Sequence, residues 1–154
     1  MAWITPKTNW SAQYSDTGLF IGDFFNVSDY NRIKNNLLYL RELATQLMLD
    51  VPVIIVGADK HYPSSNSPDF DNDHFFADEI NLIEDGLEAL DKKMPFVDFG
   101  NKQTFYENGR FIDADELNRI ESAELKMYNL LNSSIAGRQR LSFTLGTTAS
   151  TIKV

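Results

Sequence analysis

The chain contains no cysteine among its 154 residues, which excludes disulfide bonds, thiolate zinc sites and a cysteine nucleophile. It is also short of positive charge, because 14 Lys and Arg face 22 Asp and Glu for a net charge of −8. That balance argues against nucleic-acid partners, which require a basic patch, and against an anionic membrane surface. The eight glycines are scattered singly, so no phosphate-binding loop is present. The sequence therefore predicts no cofactor, no nucleic acid and no membrane partner.

Long hydrophobic runs are missing as well. The longest apolar stretch, residues 51–58, is far too short to cross a bilayer. Residues 1–7 lack the basic region and apolar run of a signal peptide. With 43% hydrophobic residues, the chain can still bury a core. We expect an acidic, soluble domain that is made in the cytoplasm.

The most informative feature of the sequence is a segment that occurs three times. Each copy reads acidic, apolar, Asn, variable, Ile, and the three copies cover residues 29–33, 79–83 and 116–120. The apolar residue and the Ile lie three positions apart. Leu37 and Leu87 follow four positions after the Ile, whereas Glu124 takes that place in the third copy. This spacing is typical of the apolar stripe of an amphipathic helix.

Capping residues place the helix starts. Asp113 and Glu116 have the spacing of a capping box, and Asn26 and Asp29 occupy the same two positions in the first copy. Phe76 stands at the cap position of the second copy and cannot cap, so that helix is predicted to begin a few residues before it. The predicted helices are residues 27–49, 75–92 and 114–134.

The connectors between the helices also repeat. Gly57 is followed five residues later by Tyr62, and Gly100 five residues later by Phe105. The sequence therefore predicts a mainly α fold with short β segments, in which three helix-centred repeats pack as a small bundle over residues 1–136. Residues 137–154 are predicted to form an extended carboxyl-terminal segment.

Two segments outside the repeat have β character. Val51–Val56 is β-branched and apolar, with Pro52 confining it to an edge. Arg140–Leu145 alternates polar and apolar residues, which is typical of a strand with one buried face. A single terminal strand needs a sheet, so we expect it to pair with a partner chain.

An acidic loop offers the best metal motif. Asp69, Asp71 and Asp73 lie at positions 1, 3 and 5 of a calcium-binding loop. His74 replaces the glycine expected at position 6, and Ile80 replaces the glutamate expected at position 12. A solvated acidic loop is therefore favoured over a calcium site.

The two histidines give no catalytic site. His61 and His74 flank the acidic loop, but no third partner of defined spacing accompanies them. We therefore predict a protein that is not an enzyme.

Two further residue sets invite a functional interpretation. Asn31, Asn81 and Asn118 recur in every copy, which favours a structural role in which the amide bonds the backbone of the preceding turn. The aromatic residues favour core packing or burial against a partner subunit, with a ligand-binding surface as the alternative. The candidate interface residues are Trp3, Trp10, Phe24, Phe25 and Phe143, with Phe20 beside them.

Several segments resemble a family of small proteins encoded among the tail and baseplate genes of phages and prophages of Gram-positive bacteria. The resemblance covers most of the chain except the loop 63–74, and it carries no catalytic residues. The segments that carry it are Trp3–Trp10, Gly22–Asn26, Asp29–Ile33, Phe76–Asn81, Phe111–Asp113, Glu116–Ile120 and Arg140–Gly146.

The resemblance implies a structural component of a virion. We expect an assembly or adaptor subunit of the tail or baseplate, in contact with fibre or receptor-binding components. Its partners would be other tail and baseplate proteins and further copies of itself, as a homo-oligomer. The alternative is a module that binds host cell-wall carbohydrate through exposed aromatic rings.

Overall fold

The fold is known from a computed structural model that describes residues 2–61, 75–94 and 97–149. Within these ranges the chain forms three α-helices, α1 (Val27–Gln46), α2 (Ala77–Asp91) and α3 (Ala114–Ala149), and each helix packs against the other two. The described residues contain no β-strand, only an isolated bridge between Tyr14 and Phe20. No helix among them is long and apolar enough to cross a membrane. The prediction of a small helical bundle is confirmed.

Helix α1 is stopped at both ends by local hydrogen bonds. Asn26 accepts the backbone N–H of Asp29, and the Asp29 carboxylate accepts the Asn26 N–H, so the predicted capping box is present. At the other end Met48 has a φ of +58°, and the N–H of Leu49 donates to the carbonyl of Ala44 at 3.1 Å. This left-handed cap ends α1 three residues before the predicted end at residue 49.

The starts of α2 and α3 are also fixed by hydrogen bonds between a side-chain carboxylate and a backbone N–H. In α2 the Glu79 carboxylate accepts the backbone N–H of Phe76 at 3.2 Å, although the Phe76 side chain caps nothing. This bond places the start at Ala77, two residues after the predicted start. In α3 Asp113 accepts the N–H of Glu116 at 3.0 Å, as the sequence predicted.

The carboxyl-terminal part of α3 differs from the expectation. The predicted strand Arg140–Leu145 is not supported, because these residues form part of the helix, which continues to Ala149. A strand needs a paired edge, and the described residues offer none, whereas a helix satisfies its own backbone groups. The helix therefore crosses the predicted boundary between residues 136 and 137, and Leu131 is the last fully buried side chain before the exposed residues 136–139.

The core is built from the repeated stripe. Nine large aliphatic side chains, counting methionine, are at most 2% exposed in the three helices, three from each, and they include the Ile of every repeat. They are Ile33, Leu37, Leu40, Ile83, Leu87, Leu90, Ile120, Met127 and Leu131. Glu124, which takes the place of Leu37 and Leu87 in the third copy, is completely buried as well. The helical periodicity of the sequence thus identifies the core, including a position that carries a carboxyl group.

Candidate interaction face

The repeated asparagines each bind one residue of an extended connector through both backbone groups. The side-chain oxygen accepts the N–H of that residue at 2.7 to 2.9 Å, and the side-chain nitrogen donates to its carbonyl at 2.7 to 2.9 Å. We call this arrangement an Asn bracket. The brackets join Asn31 to Lys60, Asn81 to Phe105 and Asn118 to Trp10.

The three brackets run in a cycle around the bundle. Asn31 of α1 holds the segment that leads into α2, and Asn81 of α2 holds the segment that leads into α3. Asn118 of α3 holds the segment that leads into α1, which lies 108 residues away in sequence. The last unit is thereby fastened to the first, and the chain closes into a ring of three units.

The brackets correct two details of the sequence interpretation. The asparagines were predicted to bond the preceding turn of their own helix, but they bind connectors 24 to 108 residues away. The backbone of the helix interior already bonds to itself, whereas an isolated extended segment has no ladder partner and needs one. In addition, Lys60 rather than Tyr62 is the counterpart of Phe105, because Lys60 is the residue that is held.

A buried ion pair reinforces the junction between α3 and α1. The guanidinium of Arg32 donates to the Glu121 carboxylate from Nη2 at 2.7 Å and from Nε at 3.0 Å. Glu121 also accepts the indole N–H of Trp10 at 2.8 Å and the backbone N–H of Lys7 at 2.6 Å. Four donors on one fully buried carboxylate compensate for the loss of its hydration.

An equivalent ion pair is present at the junction between α2 and α3 but, among the described residues, not at the junction between α1 and α2. Arg119 of α3 pairs with the buried Glu84 of α2, as Arg32 pairs with Glu121. At the α1–α2 junction Leu82 stands in the arginine position and Lys34 in the glutamate position. Lys34 pairs instead with Asp59 of the connector. The bracket is therefore common to all three junctions, whereas the ion pair belongs to two.

Burial raises the pKa of two carboxyl groups in this interior. Burial raises the pKa of Glu124 well above its usual range, and the neighbouring charge of Glu121 raises it further. Asn36 reaches one Glu124 oxygen at 3.5 Å, and the other oxygen has no partner. Burial also raises the pKa of Glu84, although Arg119 opposes the change. Glu124 is thus a buried carboxyl at a core position, where the protonated form is favoured.

Between each bracketed residue and the following helix lies a loop, and the loops differ. Residues 11–26 form a hairpin, in which Ile21 N–H donates to the Gln13 carbonyl at 2.8 Å. Residues 106–113 include a tight turn in which Asn108 has a φ of +56°. In the second copy the corresponding segment is residues 61–76, of which residues 62–74 lie outside the described part of the chain.

The helix starts and their loops meet at one end of the ring. The Phe25 ring at the start of α1 lies 4.8 Å from that of Phe75 at the start of α2. Trp10, which is held by α3, lies 6.2 Å from Phe25. A groove connects the start of α2 to residues 105–112 ahead of α3. We call the surface formed by residues 11–26, 75–76 and 106–113 the helix-start face.

Exposed apolar side chains concentrate on the helix-start face. Of the eleven large hydrophobic side chains that are exposed among the described residues, seven belong to it. They are Tyr14, Leu19, Ile21, Phe24, Phe76, Tyr106 and Phe111. Exposed apolar side chains that are concentrated in one region mark binding sites more often than isolated ones do.

The groove on this face has a volume of about 560 Å³ and an aromatic lining. Phe76, Tyr106 and Phe111 line it and are 44%, 72% and 61% exposed, respectively. Ile80 and Ile112 also line it and are buried in the core beneath. Concave sites of a few hundred cubic ångströms with apolar walls are the usual shape of ligand sites.

The structure places the five candidate interface residues differently. Trp3 stacks on Tyr128 with ring centroids 4.1 Å apart, and Trp10 and Phe25 pack in or against the core. Phe24 is exposed on the helix-start face. The side chain of Phe143 lies outside the described part of the structure.

The candidate metal loop cannot be placed, because Asp69, Asp71, Asp73 and His74 lie outside the described residues. His61 is exposed. Among the residues that the structure does describe, no cluster of three or more acidic or histidine side chains could hold a metal ion.

Sequence reasoning missed Tyr106 and Phe111. A signal for Phe111 was available, because Phe24 and Phe111 both stand seven residues before the Asn of their repeat. Tyr106 follows the bracketed residue directly and becomes recognisable only once the bracket is known. Comparison of the chain with protein-family models, curated proteins and solved structures finds no match.

Proposed function

We propose that this chain is a virion protein of a phage tail or baseplate, where it acts as an adaptor that binds neighbouring subunits through its helix-start face. The observation that carries the proposal is the concentration of exposed apolar side chains at one end of a closed ring. The resemblance of its repeat and terminal segments to tail-region proteins supports the setting.

The molecule combines a rigid framework, formed by the three helices and their brackets, with an exposed apolar surface, the helix-start face, and this combination suits an adaptor. The polar groups of the interior are used to fasten one unit to the next, through the brackets and the ion pairs of Arg32 and Arg119. The exposed apolar groups are carried by loops at the ends of these fixed helices. Binding residues on loops that a rigid scaffold positions are the common arrangement in recognition proteins.

The helix-start face also indicates the kind of partner. The ring repeats three times, but the hairpin at residues 11–26 differs from the tight turn at residues 106–113, so the face itself does not repeat. A partner with threefold symmetry about the ring axis would meet unequal surfaces. The face therefore fits a neighbour that presents a different, complementary surface.

The location can be tested on particles induced from a strain that carries the gene. Mass spectrometry of purified particles and immunogold labelling with an antibody against the chain are expected to find it at the tail. Particles that lack the chain, or labelling confined to unassembled lysate protein, would contradict the proposal.

The face can be tested by matched surface variants. Leu19→Ser together with Phe24→Ser removes two exposed apolar groups from the hairpin, and we expect incorporation into particles to fall while the melting temperature stays unchanged. The control is Met48→Ser together with Val53→Ser, which removes two groups elsewhere on the ring that are more exposed than Leu19 and Phe24. Equal incorporation of both double variants would show that the face is not the contact surface.

A further inference from the structure

We infer that the groove between the start of α2 and the turn at residues 106–109 binds a neutral saccharide. This activity goes beyond the assembly role and does not depend on it.

The shape of the groove fits a small ligand. Its volume of about 560 Å³ lies within the roughly 300–1,000 Å³ that is usual for ligand sites. Phe76, Tyr106 and Phe111 leave large parts of their rings open to solvent, whereas Phe105 and Ile112 beneath them are buried. The groove is thus aromatic where a ligand would lie and anchored to the core below.

The chemistry of the lining matches a sugar ring. A pyranose has an apolar face of C–H groups, which gains from burial against the electron-rich face of an aromatic ring. Its hydroxyl groups need donors and acceptors at the edge of the same site. Asp78, Glu107, Asn108 and Arg110 supply both kinds of group around the aromatic rings.

The charge of the groove selects among saccharides. Asp78 and Glu107 add two carboxylates to its edge, while the nearby cations already have carboxylate partners. Arg110 pairs with Asp113 at 3.0 Å and Glu116 at 3.1 Å. Lys60, which lies 5.1 Å from the centre of the Phe76 ring, pairs with Glu79 at 2.8 Å. A ligand with phosphate or uronate groups would meet net negative charge at short range. Neutral sugars carry no such penalty, so the site favours neutral hexose or N-acetylhexosamine oligomers over anionic glycans.

The test uses the full chain and two sets of probes. Neutral oligomers of glucose, galactose and N-acetylglucosamine are titrated by calorimetry and by NMR chemical-shift mapping, beside anionic uronate and phosphate-bearing oligomers of similar length. We expect at least one neutral oligomer to bind and to shift the amides of residues 105–112. The anionic probes are expected to bind more weakly or not at all.

Variants assign the binding to the groove. Tyr106→Ala and Phe111→Ala are each expected to weaken binding about tenfold, the size expected for losing one aromatic contact. Phe24→Ala is the matched control, since Phe24 occupies the same repeat position as Phe111 and is similarly exposed but lies outside the groove. It should bind the sugar as the unaltered chain does. Thermal melting should be unchanged in all three, because each side chain is exposed.

Several outcomes would overturn the inference. They are failure of every neutral oligomer to bind, preference for the anionic probes, and unchanged binding by the Tyr106→Ala and Phe111→Ala variants. If no sugar binds and the same two variants instead lose incorporation into particles, the groove is a protein contact. In that case the assembly role stands and the saccharide site does not.

Discussion

The junction between α3 and α1 and the junction between α1 and α2 occupy equivalent places in the ring but are stabilised differently. The first combines the bracket from Asn118 to Trp10 with the buried pair of Arg32 and Glu121. The second keeps the bracket, from Asn31 to Lys60, but its buried pair among the described residues joins Lys60 of the connector to Glu79 of α2 and not helix to helix. Yet α1 packs against both neighbours.

This comparison distinguishes the contact that all three junctions share, the bracket, from the contact that a junction can lack, the helix-to-helix ion pair. A bracket satisfies the two backbone groups of a connector residue whatever its side chain is, and it therefore serves Trp10, Lys60 and Phe105 alike. The ion pair depends on two charges placed together, and Leu82 shows that a junction forms without it. We infer that the bracket defines the unit and that the ion pair reinforces particular junctions.

Removal of Arg32 is expected to have the largest effect. Arg32→Met leaves the buried Glu121 carboxylate without its cation, and breaking one side of a buried pair costs about 3–5 kcal/mol of unfolding free energy. Urea denaturation at pH 7 measures it. The double variant Arg32→Met with Glu121→Gln has no buried carboxylate charge at this position, and the amide side chain introduced there can still accept the Trp10 indole N–H. Part of the lost unfolding free energy should therefore be recovered. No recovery would mean that the charge is not the cause.

The brackets are expected to contribute comparably at all three junctions. Asn31→Ala, Asn81→Ala and Asn118→Ala each remove the side-chain amide that binds one backbone N–H and one carbonyl of a connector residue. We expect each to lower the unfolding free energy by about 1–3 kcal/mol, since an unpaired, partly buried polar group is costly. Urea denaturation of the three variants side by side tests this equivalence. A variant with the same unfolding free energy as the unaltered chain would contradict it.

The α3–α1 junction should also respond to pH through Glu124. Burial raises the pKa of its carboxyl in the folded chain above the ordinary value of 4.5, so its stabilising contribution is complete below that value and is lost as pH rises. Glu124→Gln stays neutral throughout. We expect this variant to be more stable than the unaltered chain at pH 7, with the difference shrinking towards pH 4.

Stability curves against pH for Glu124→Gln and for a control, Glu107→Gln, check the Glu124 prediction. Glu107 is exposed, so its replacement should leave the curve unchanged. A Glu124→Gln variant that is less stable than the parent at pH 7 would show that this carboxyl is ionised and compensated in the fold.

The smallest effect is expected where the framework is not touched. Leu19→Ser and Phe24→Ser alter only exposed side chains of the hairpin, and such changes lie within about 0.5 kcal/mol of the parent. Thermal melting of the purified variants measures it. A larger loss of stability would mean that the hairpin helps to hold the three units together. The hairpin would then be part of the stabilising framework as well as of the helix-start face.

Much of the fold was accessible from the sequence because it depends on local patterns. The 3-then-4 spacing around Ile33 and Ile83 identified the stripe that forms the core, and Asn26 and Asp113 placed two helix starts. Arg140–Leu145 misled, because alternation predicts a strand only where a partner edge exists, and no partner edge is present among the described residues.

The site was less accessible, because it depends on contacts between distant residues. The Asn repeat pointed to a structural role, but its target lies on another unit, and no local rule connects Asn118 with Trp10. A buried carboxyl such as Glu124 looks like an interruption of the apolar stripe until Asn36 and Glu121 are seen beside it. The groove arises where the start of one helix meets the loop before the next, so it has no continuous sequence signature.

The closed ring is tested most directly by hydrogen exchange of three backbone amides, those of Trp10, Lys60 and Phe105, followed by NMR. Each amide lies in an extended connector, and its bond in the bracket is to an asparagine side chain. We predict that all three are protected, and that Asn118→Ala abolishes the protection of Trp10 while leaving Lys60 and Phe105 protected. A Trp10 amide that exchanges as fast as an unstructured peptide in the unaltered chain would contradict the ring.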